Sequence, residues 1–234
     1  MLLYQEIRDY LFTLIAQDNT LKKLPSEREL QGHFNSTRIT VREALMRLEV
    51  EGIIYRQNRK GWFICPPRLE WNPVNKVNFY QLAKEQSFDA DTRLVSIDCS
   101  ALVGEKSQAI TSAFSLNSHA EFYQICRVRS LDDRPVMVEE IYCQAEHFHG
   151  LAEKELTGSI TAIFKDDYNV NVTAERSSIH VTALPESVAK LLHLNSGASC
   201  LKIIRQRFSQ HKALVDYNIE YWVHGAIEIK VDSY

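Results

Sequence analysis

The sequence predicts an α+β protein built from two modules. Residues 1–66 read as a winged helix-turn-helix, residues 67–77 as a linker, and residues 78–234 as a mostly antiparallel sheet with helices packed on it. Three observations carry this prediction. Between Leu24 and Ile64, two short helical patterns joined by a tight turn precede two β-prone runs around a basic tip. Pro66 and Pro67 then break the pattern and mark a boundary. Beyond them strand patterns dominate and hairpin signals recur, which implies antiparallel pairing.

The chain has 234 residues, 45% of them hydrophobic and 24% charged, the balance of an ordinary soluble globular protein of one large or two small domains. The net charge of −3 hides an asymmetry. Residues 1–66 hold ten Lys and Arg against eight Asp and Glu, and the remainder holds seventeen against twenty-two. A mildly basic module on an acidic body fits polyanion binding at one end. The five cysteines are scattered without CxxC spacing, so neither a zinc site nor a disulfide framework is expected and no cofactor is implied. The sequence shows no signal-peptide pattern and no apolar run of the ~18–20 residues that span a membrane, so no membrane partner is expected and a cytoplasmic location is.

Tyr4–Ala16 places Ile7, Leu11, Leu14 and Ile15 at helical spacing. Ser26 is the expected N-cap of a second helix running to about Phe34, with Glu27 and Glu29 suited to its positive end. Asn35-Ser36 is the turn, and Thr37 caps a third helix over Arg38–Glu51. In that helix Val41, Ala44, Leu45 and Leu48 share a core face, while Arg38 and Arg42 lie side by side on the flank with Thr40 near the start. Such an inventory suits a recognition helix entering a major groove, where arginine bonds guanine bidentately. Gly52 stops the helix. Ile53–Tyr55 and Trp62–Ile64 then flank a tip containing Arg56, Arg59 and Lys60. Asn58 and Gly61 tolerate positive φ there, so a wing that meets phosphates or the minor groove is expected.

The segments LPSEREL (24–30), TRITVREAL (37–45), LEVEGII (48–54) and GWF (61–63) resemble the DNA-binding domain of the GntR family of bacterial transcription regulators. The resemblance implies operator contacts at Arg28, Thr37, Arg38, Thr40 and Arg42, with Gly61 in the wing beside Arg59 and Lys60. Asn58 and Trp62 depart from the family's usual glycine and threonine.

In the second module the pattern predicts helices over 79–85, 105–113, 159–167 and 185–192. It predicts strands over 91–101, 121–130, 136–142, 170–183, 198–209, 213–224 and 227–231, with a turn over 131–135. GxSxG, Walker A, HExxH and Rossmann glycine patterns are missing, so an enzyme is not expected. His147 and His149 read as a loop pair rather than metal ligands, for want of a third ligand at useful spacing. Charged residues on strands are the more informative feature. Arg127 and Arg129 share one face of a strand, and Glu139 lies across the hairpin. Ser159 opens a helix, whose N-terminus attracts anions. Asp216 and Glu220 share a face of another strand, with Trp222 further along it. Two arginines and a helix N-terminus can cradle a phosphate or phosphonate, and the carboxylates an ammonium or hydroxyls. The alternative is a set of exposed cross-strand ion pairs.

The segment RVRSLDDRPVMVEE (127–140) resembles the effector module, termed UTRA, of HutC-subfamily regulators, which has a chorismate-lyase-like fold without lyase activity. The resemblance implies that Arg127, Arg129 and Ser159 bind a phosphate group and that Glu139 and Asp216 contact the rest of the ligand. Phe79-Tyr80 stands where a Phe-Ser pair is usual, which makes Tyr80, with Glu220, a candidate for ligand discrimination, and Trp222 is a further candidate effector contact. RKGWF (59–63), NFYQL (78–82) and LVDYNIEYWVHGAIEIKVD (214–232) are similar to the HutC-type regulators of 2-aminoethylphosphonate utilisation. The expectation is a homodimeric, ligand-responsive transcription regulator of phosphonate utilisation genes. Its expected partners are double-stranded operator DNA and a small anionic effector, a phosphonate or phosphate ester. A sugar-phosphate sensor and a small-molecule enzyme of the same fold are the alternatives.

Overall fold

A computed structural model describes residues 2–57, 59–75 and 78–232. The expected role of Asn58 in the wing, and the part of the linker at Lys76 and Val77, lie outside the described residues.

The N-terminal head contains α1 (Leu3–Gln17), α2 (Glu27–Phe34), α3 (Arg38–Val50), β1 (Ile54–Gln57) and β2 (Gly61–Ile64). Ile7 and Leu11 of α1 pack with Leu30 of α2, with Val41, Ala44, Leu45 and Leu48 of α3, and with Ile54 and Trp62 of the wing. The i, i+3, i+4, i+7 spacing on α3 creates that seam. Ser26 and Glu29 form a reciprocal capping box on α2, which ends at Asn35 in the left-handed region. The Thr37 hydroxyl caps α3, and Gly52, at φ +71, turns the chain into β1. In the tip Arg59 (φ 62) as well as Gly61 (φ 107) takes positive φ. Trp62 faces inward rather than toward the tip.

The body holds β3 (Leu69–Trp71), α4 (Phe79–Glu85), β4 (Ala90–Ala101), α5 (Ser107–Ala113), β5 (Glu121–Leu131), β6 (Arg134–Gln144), α6 (Ile160–Tyr168), β7 (Val172–Ala183), α7 (Glu186–Leu191), β8 (Ser199–Ser209), β9 (Leu214–Val223) and β10 (Ile227–Ile229). Two 3-10 turns, Ala145–His147 and Leu151–Glu153, separate β6 from α6. Six strands form one antiparallel sheet in the order β4-β5-β6-β9-β8-β7. The β5–β6 turn is tighter than the sequence implies. Asp132 and Asp133 alone make it, both at positive φ, as a two-residue hairpin demands, and Pro135 sits in β6 beside a register shift. Within residues 67–77, β3 pairs in parallel with β10, and Leu69 and Trp71 join the body's core.

The two faces of the sheet differ. One buries Val128, Val138, Tyr217, Ile219, Tyr221 and Val223 together with residues of α5 and α7. On the other, one end is apolar, where Tyr123, Ile125, Ile141 and Cys143 pack with Phe148 and with Phe164 of α6, and Met137, Trp222 and Ile203 lie beyond a charged middle. Further along the same face the alternation continues with Arg127, Arg129, Glu139 and Glu220, and the register adds Arg205 and Arg207 from β8. A cavity lies at this change from apolar to charged.

Candidate DNA-binding surface and effector pocket

On the head, Arg28, Thr37 and Arg38 are exposed, Thr40 and Arg42 are half-buried, and Arg59 and Lys60 are exposed beside half-buried Gly61 at the wing tip. Arg28 leaves the first turn of α2, Arg38 and Arg42 leave α3, and the basic tip stands apart on its hairpin. The Thr37 hydroxyl accepts from the Thr40 N–H at 3.3 Å, so these threonines also fix the start of α3. Glu27 organises the group. Its carboxylate accepts from Arg38 Nε at 3.2 Å, from Arg42 Nε at 3.3 Å and from the Trp62 indole at 3.3 Å. Burial raises the pKa of Glu27, but the bonds from Trp62, Arg38 and Arg42 outweigh burial and hold it below its ordinary value. Helix α2, the recognition helix and the wing are thereby tied to one carboxylate, and Arg38 and Arg42 keep free guanidinium N–H groups for a nucleic acid. Sequence reading assigned Glu27 only a helix-end role. Its position one residue after the N-cap could not disclose a partner 35 residues away.

In the body, a cavity of about 840 Å³ opens on the charged face of the sheet. It is lined by Arg127, Arg129, Glu139, Ser159, Glu220 and Trp222, and also by Tyr80, Phe79, Trp71, Glu175, Arg205 and Arg207. Arg127 is 1% exposed and Glu139 4%. Two guanidiniums converge on one oxygen, Glu139 Oε2. Arg127 donates to it at 2.6 and 3.2 Å, and Arg129 at 3.0 and 3.1 Å. Arg127 also donates to the carbonyls of Leu156 and Gly158, each at 2.8 Å, which anchors the loop before α6. Burial pushes the Glu139 carboxyl up, but Arg127 and Arg129 hold it far below the usual carboxylate range. Arg129 stacks 4.8 Å over the Phe79 ring. Ser159 caps α6 and bonds the Thr161 hydroxyl at 3.0 Å. The Tyr80 hydroxyl donates to the Thr157 carbonyl at 2.7 Å, bracing α4 against the same loop.

A second ionic cluster lies beside the first on the same face of the sheet, with Glu220 directly across the strands from Glu139. Arg205 donates to Glu220 Oε2 at 3.2 Å and to Glu175 at 3.4 Å, and it stacks 4.3 Å from the Trp71 ring. The Trp222 indole donates to Glu220 Oε2 at 2.7 Å. Beneath lies Arg207, which donates from Nε to Asp216 Oδ1 at 2.8 Å. Its Nη2 stands 2.7 Å from Oδ2 as a charge contact without hydrogen-bond alignment. Asp216 is 0% exposed and does not line the cavity. Burial raises its pKa against the opposing charge of Arg207. The structure thus brings seven of the eight expected ligand residues to one cavity and sets Asp216 behind it. The cross-strand ion pairs weighed as an alternative are present as well, but buried rather than exposed. Arg205 and Arg207 repeat the two-apart spacing of Arg127 and Arg129, a signal the sequence offered. Trp71 and Glu175 reach the cavity only through tertiary packing.

A basic helix-turn-helix head on a body with an anion-ready cavity defines a ligand-responsive DNA-binding regulator. The model of the gntR family of bacterial regulatory proteins matches residues 3–64, and that of the UTRA domain matches residues 85–228. The chain belongs to the GntR family, in its HutC-type branch with a UTRA domain. The protein named "Uncharacterized HTH-type transcriptional regulator YihL" from Escherichia coli K12 is 27% identical over 210 residues, covering 90% of this chain and 88% of its own. The "Probable fructoselysine utilization operon transcriptional repressor" of the same strain is 24% identical over 237 residues, covering 99% and 95%. The crystal structure of PhnF from Mycobacterium smegmatis shares the fold with a TM-score of 0.67 at 20% identity, covering 97% of this chain and 99% of that one. The relatives are transcriptional regulators, and among the described residues no helix is long and apolar enough to cross a membrane.

Proposed function

We propose that the chain regulates phosphonate utilisation genes and that its effector is a small zwitterion, with 2-aminoethylphosphonate the simplest fit. The observation that carries this reading is that one cavity is lined both by Arg127 and Arg129, which bond Glu139, and by Glu220 and Glu175, which bond Arg205. A phosphonate takes the outward N–H groups of Arg129, the Ser159 hydroxyl and the N-terminus of α6. An ammonium takes Glu220 or Glu175, relieving the demand on Arg205. A purely anionic ligand would leave those carboxylates to Arg205, the Trp222 indole and the Ser177 hydroxyl. The chain acts as a homodimer that presents two recognition helices to a near-palindromic operator. Effector binding shifts the heads through differential affinity for two arrangements.

Calorimetric titration of 2-aminoethylphosphonate and of glucosamine 6-phosphate tests the assignment. Saturable binding of the phosphonate, lost in Arg129→Gln, supports it. Binding of the sugar phosphate alone would overturn it. That second reading has its own support, because about 840 Å³ exceeds what a single phosphonate headgroup needs and lies within the ~300–1,000 Å³ of sites that enclose drug-sized ligands. The similarity to a fructoselysine operon repressor points the same way.

A further inference from the structure

Strand β9 runs from the cavity to the head. Glu220 and Trp222 line the cavity, and the strand ends at Val223. His224 follows, with Nε2 3.0 Å from the carbonyl oxygen of Glu49, in the last turn of recognition helix α3. Its Nδ1 stands 3.2 Å from the carbonyl of Ser199, the first residue of β8, which carries Arg205 into the cavity. The next residue is Gly225. A Cβ there would lie 3.3 Å from Cys65 Sγ, a tight contact, and 3.5 Å from the Gly52 Cα, an ordinary one, so the chain passes close to the head at this point. Arg68 donates to the Glu51 carbonyl at 3.1 Å, and Arg134 stacks 4.0 Å over the Tyr55 ring.

We propose that His224 is the positioning residue that couples cavity to head. It clasps a carbonyl at the C-terminal end of the recognition helix to the two strands that wall the effector site. The Glu49 carbonyl already accepts the Gly52 N–H at 3.0 Å, and its second lone pair is open to His224; carbonyls at a helix C-terminus attract donors and cations. Both of His224's partners are carbonyl oxygens, which only accept. A neutral ring donates to one of them, and a ring with N–H on both nitrogens donates to both. The clasp is therefore complete in the doubly protonated ring. The charged and titratable groups around this seam are Glu49 and Arg56 from the head, Cys65 beside it, and Arg68 and Arg134 from the body. Burial of Glu49 raises its pKa, with the charges of His224 and Arg56 opposing.

The regulatory meaning rests on the effector reading above, so the test uses the full chain without ligand. Amide hydrogen exchange is followed at residues 49–56, with β5 and β6 as internal reference. His224→Ala is expected to speed exchange at 49–56 by about three- to tenfold, the range of one lost hydrogen bond, while the reference holds. Glu220→Gln, placed in the cavity, is expected to alter exchange at 49–56 in the native chain but not in the His224→Ala chain. His224→Gln, whose amide keeps a donor for one carbonyl, is expected to hold exchange at 49–56 between the native and the His224→Ala rates. If His224→Ala does not fold, the comparison with Glu220→Gln is made in His224→Gln. Unchanged exchange at 49–56 in His224→Ala, or in His224→Gln where His224→Ala does not fold, or additive effects of the two substitutions would each overturn the proposal.

Discussion

Arg38 and Arg42 each have one face committed to Glu27 and the rest of the guanidinium available. This arrangement fixes the side chains before DNA arrives, so less side-chain entropy is lost on binding. Arg38→Ala and Arg42→Ala are each expected to weaken operator binding by about 1–3 kcal/mol in fluorescence anisotropy, with relaxed preference at the contacted base. Unchanged affinity in both would remove α3 from the groove. In the body, Arg127 does more than offer charge, since Glu139, Leu156 and Gly158 all depend on it. Arg127→Met leaves a buried carboxylate with half its partners and is expected to cost about 3–5 kcal/mol in urea denaturation, unlike the more accessible Arg129. Glu139 also has a pH signature. Its folded-state pKa lies below the unfolded value, so its contribution to stability is present above the unfolded pKa and drains away as pH falls toward the folded one. Asp216, whose pKa is raised, has the opposite sign: ionising it as pH rises costs stability. Glu139→Gln is expected to flatten the acid limb of the stability curve measured by denaturant titration, whereas an unaltered limb would mean that Glu139 is not the group titrating there.

At the scale of elements, the wing is a separate hairpin whose tip carries exposed Arg59 and Lys60, while Trp62 turns back to Glu27. A cation on such a tip meets phosphate rather than a base edge. Lys60→Ala is expected to weaken binding to all sequences alike and to lower the slope of log K against log salt by about one. A sequence-selective loss would place the wing in a groove instead. The elements themselves were largely legible. Helix α4 falls on the predicted Phe79–Glu85, because Asn78 caps it and the chain reverses at Ser87, which has positive φ. Ser159, Thr37 and Ser26 each cap the helix that the sequence assigned to them. What escaped was non-local. Strand β3 has three residues, too few for an alternating pattern, and it exists because β10 arrives beside it from the far end of the chain. Asp216 and Glu220 share a face in sequence, as they do in the fold, yet only Glu220 reaches the cavity. Arg207 on the neighbouring strand covers Asp216, and no local signal encodes that.

For the whole molecule, the division of charge matters more than the net value. A head with ten basic against eight acidic side chains offers a modest electrostatic pull, and the acidic body opposes it. One head of this kind, presenting two arginines from α3 and a short basic tip, buries little DNA. Single modules bury about 600–1,000 Å², at the low end for specific complexes. Two heads on one rigid scaffold convert the second contact into an intramolecular event, which multiplies affinity without any new residue. In the homodimer proposed above, the same scaffold would give the effector leverage, because a small change in head spacing would cost one of the two contacts. The expected complex therefore contains two chains of 27.0 kDa per operator. Footprinting should show two protected half-sites centred about 10 base pairs, or a multiple of one helical turn, apart. Sedimentation of the complex supplies the stoichiometry, and inserting five base pairs between the half-sites puts them on opposite faces of the duplex. If the heads act as a pair, that insertion abolishes tight binding while each half-site keeps its sequence. If a single chain with one protected half-site retains full affinity, the pairing of heads is wrong, and the effector must act within one chain, along β9 from Glu220 to the recognition helix.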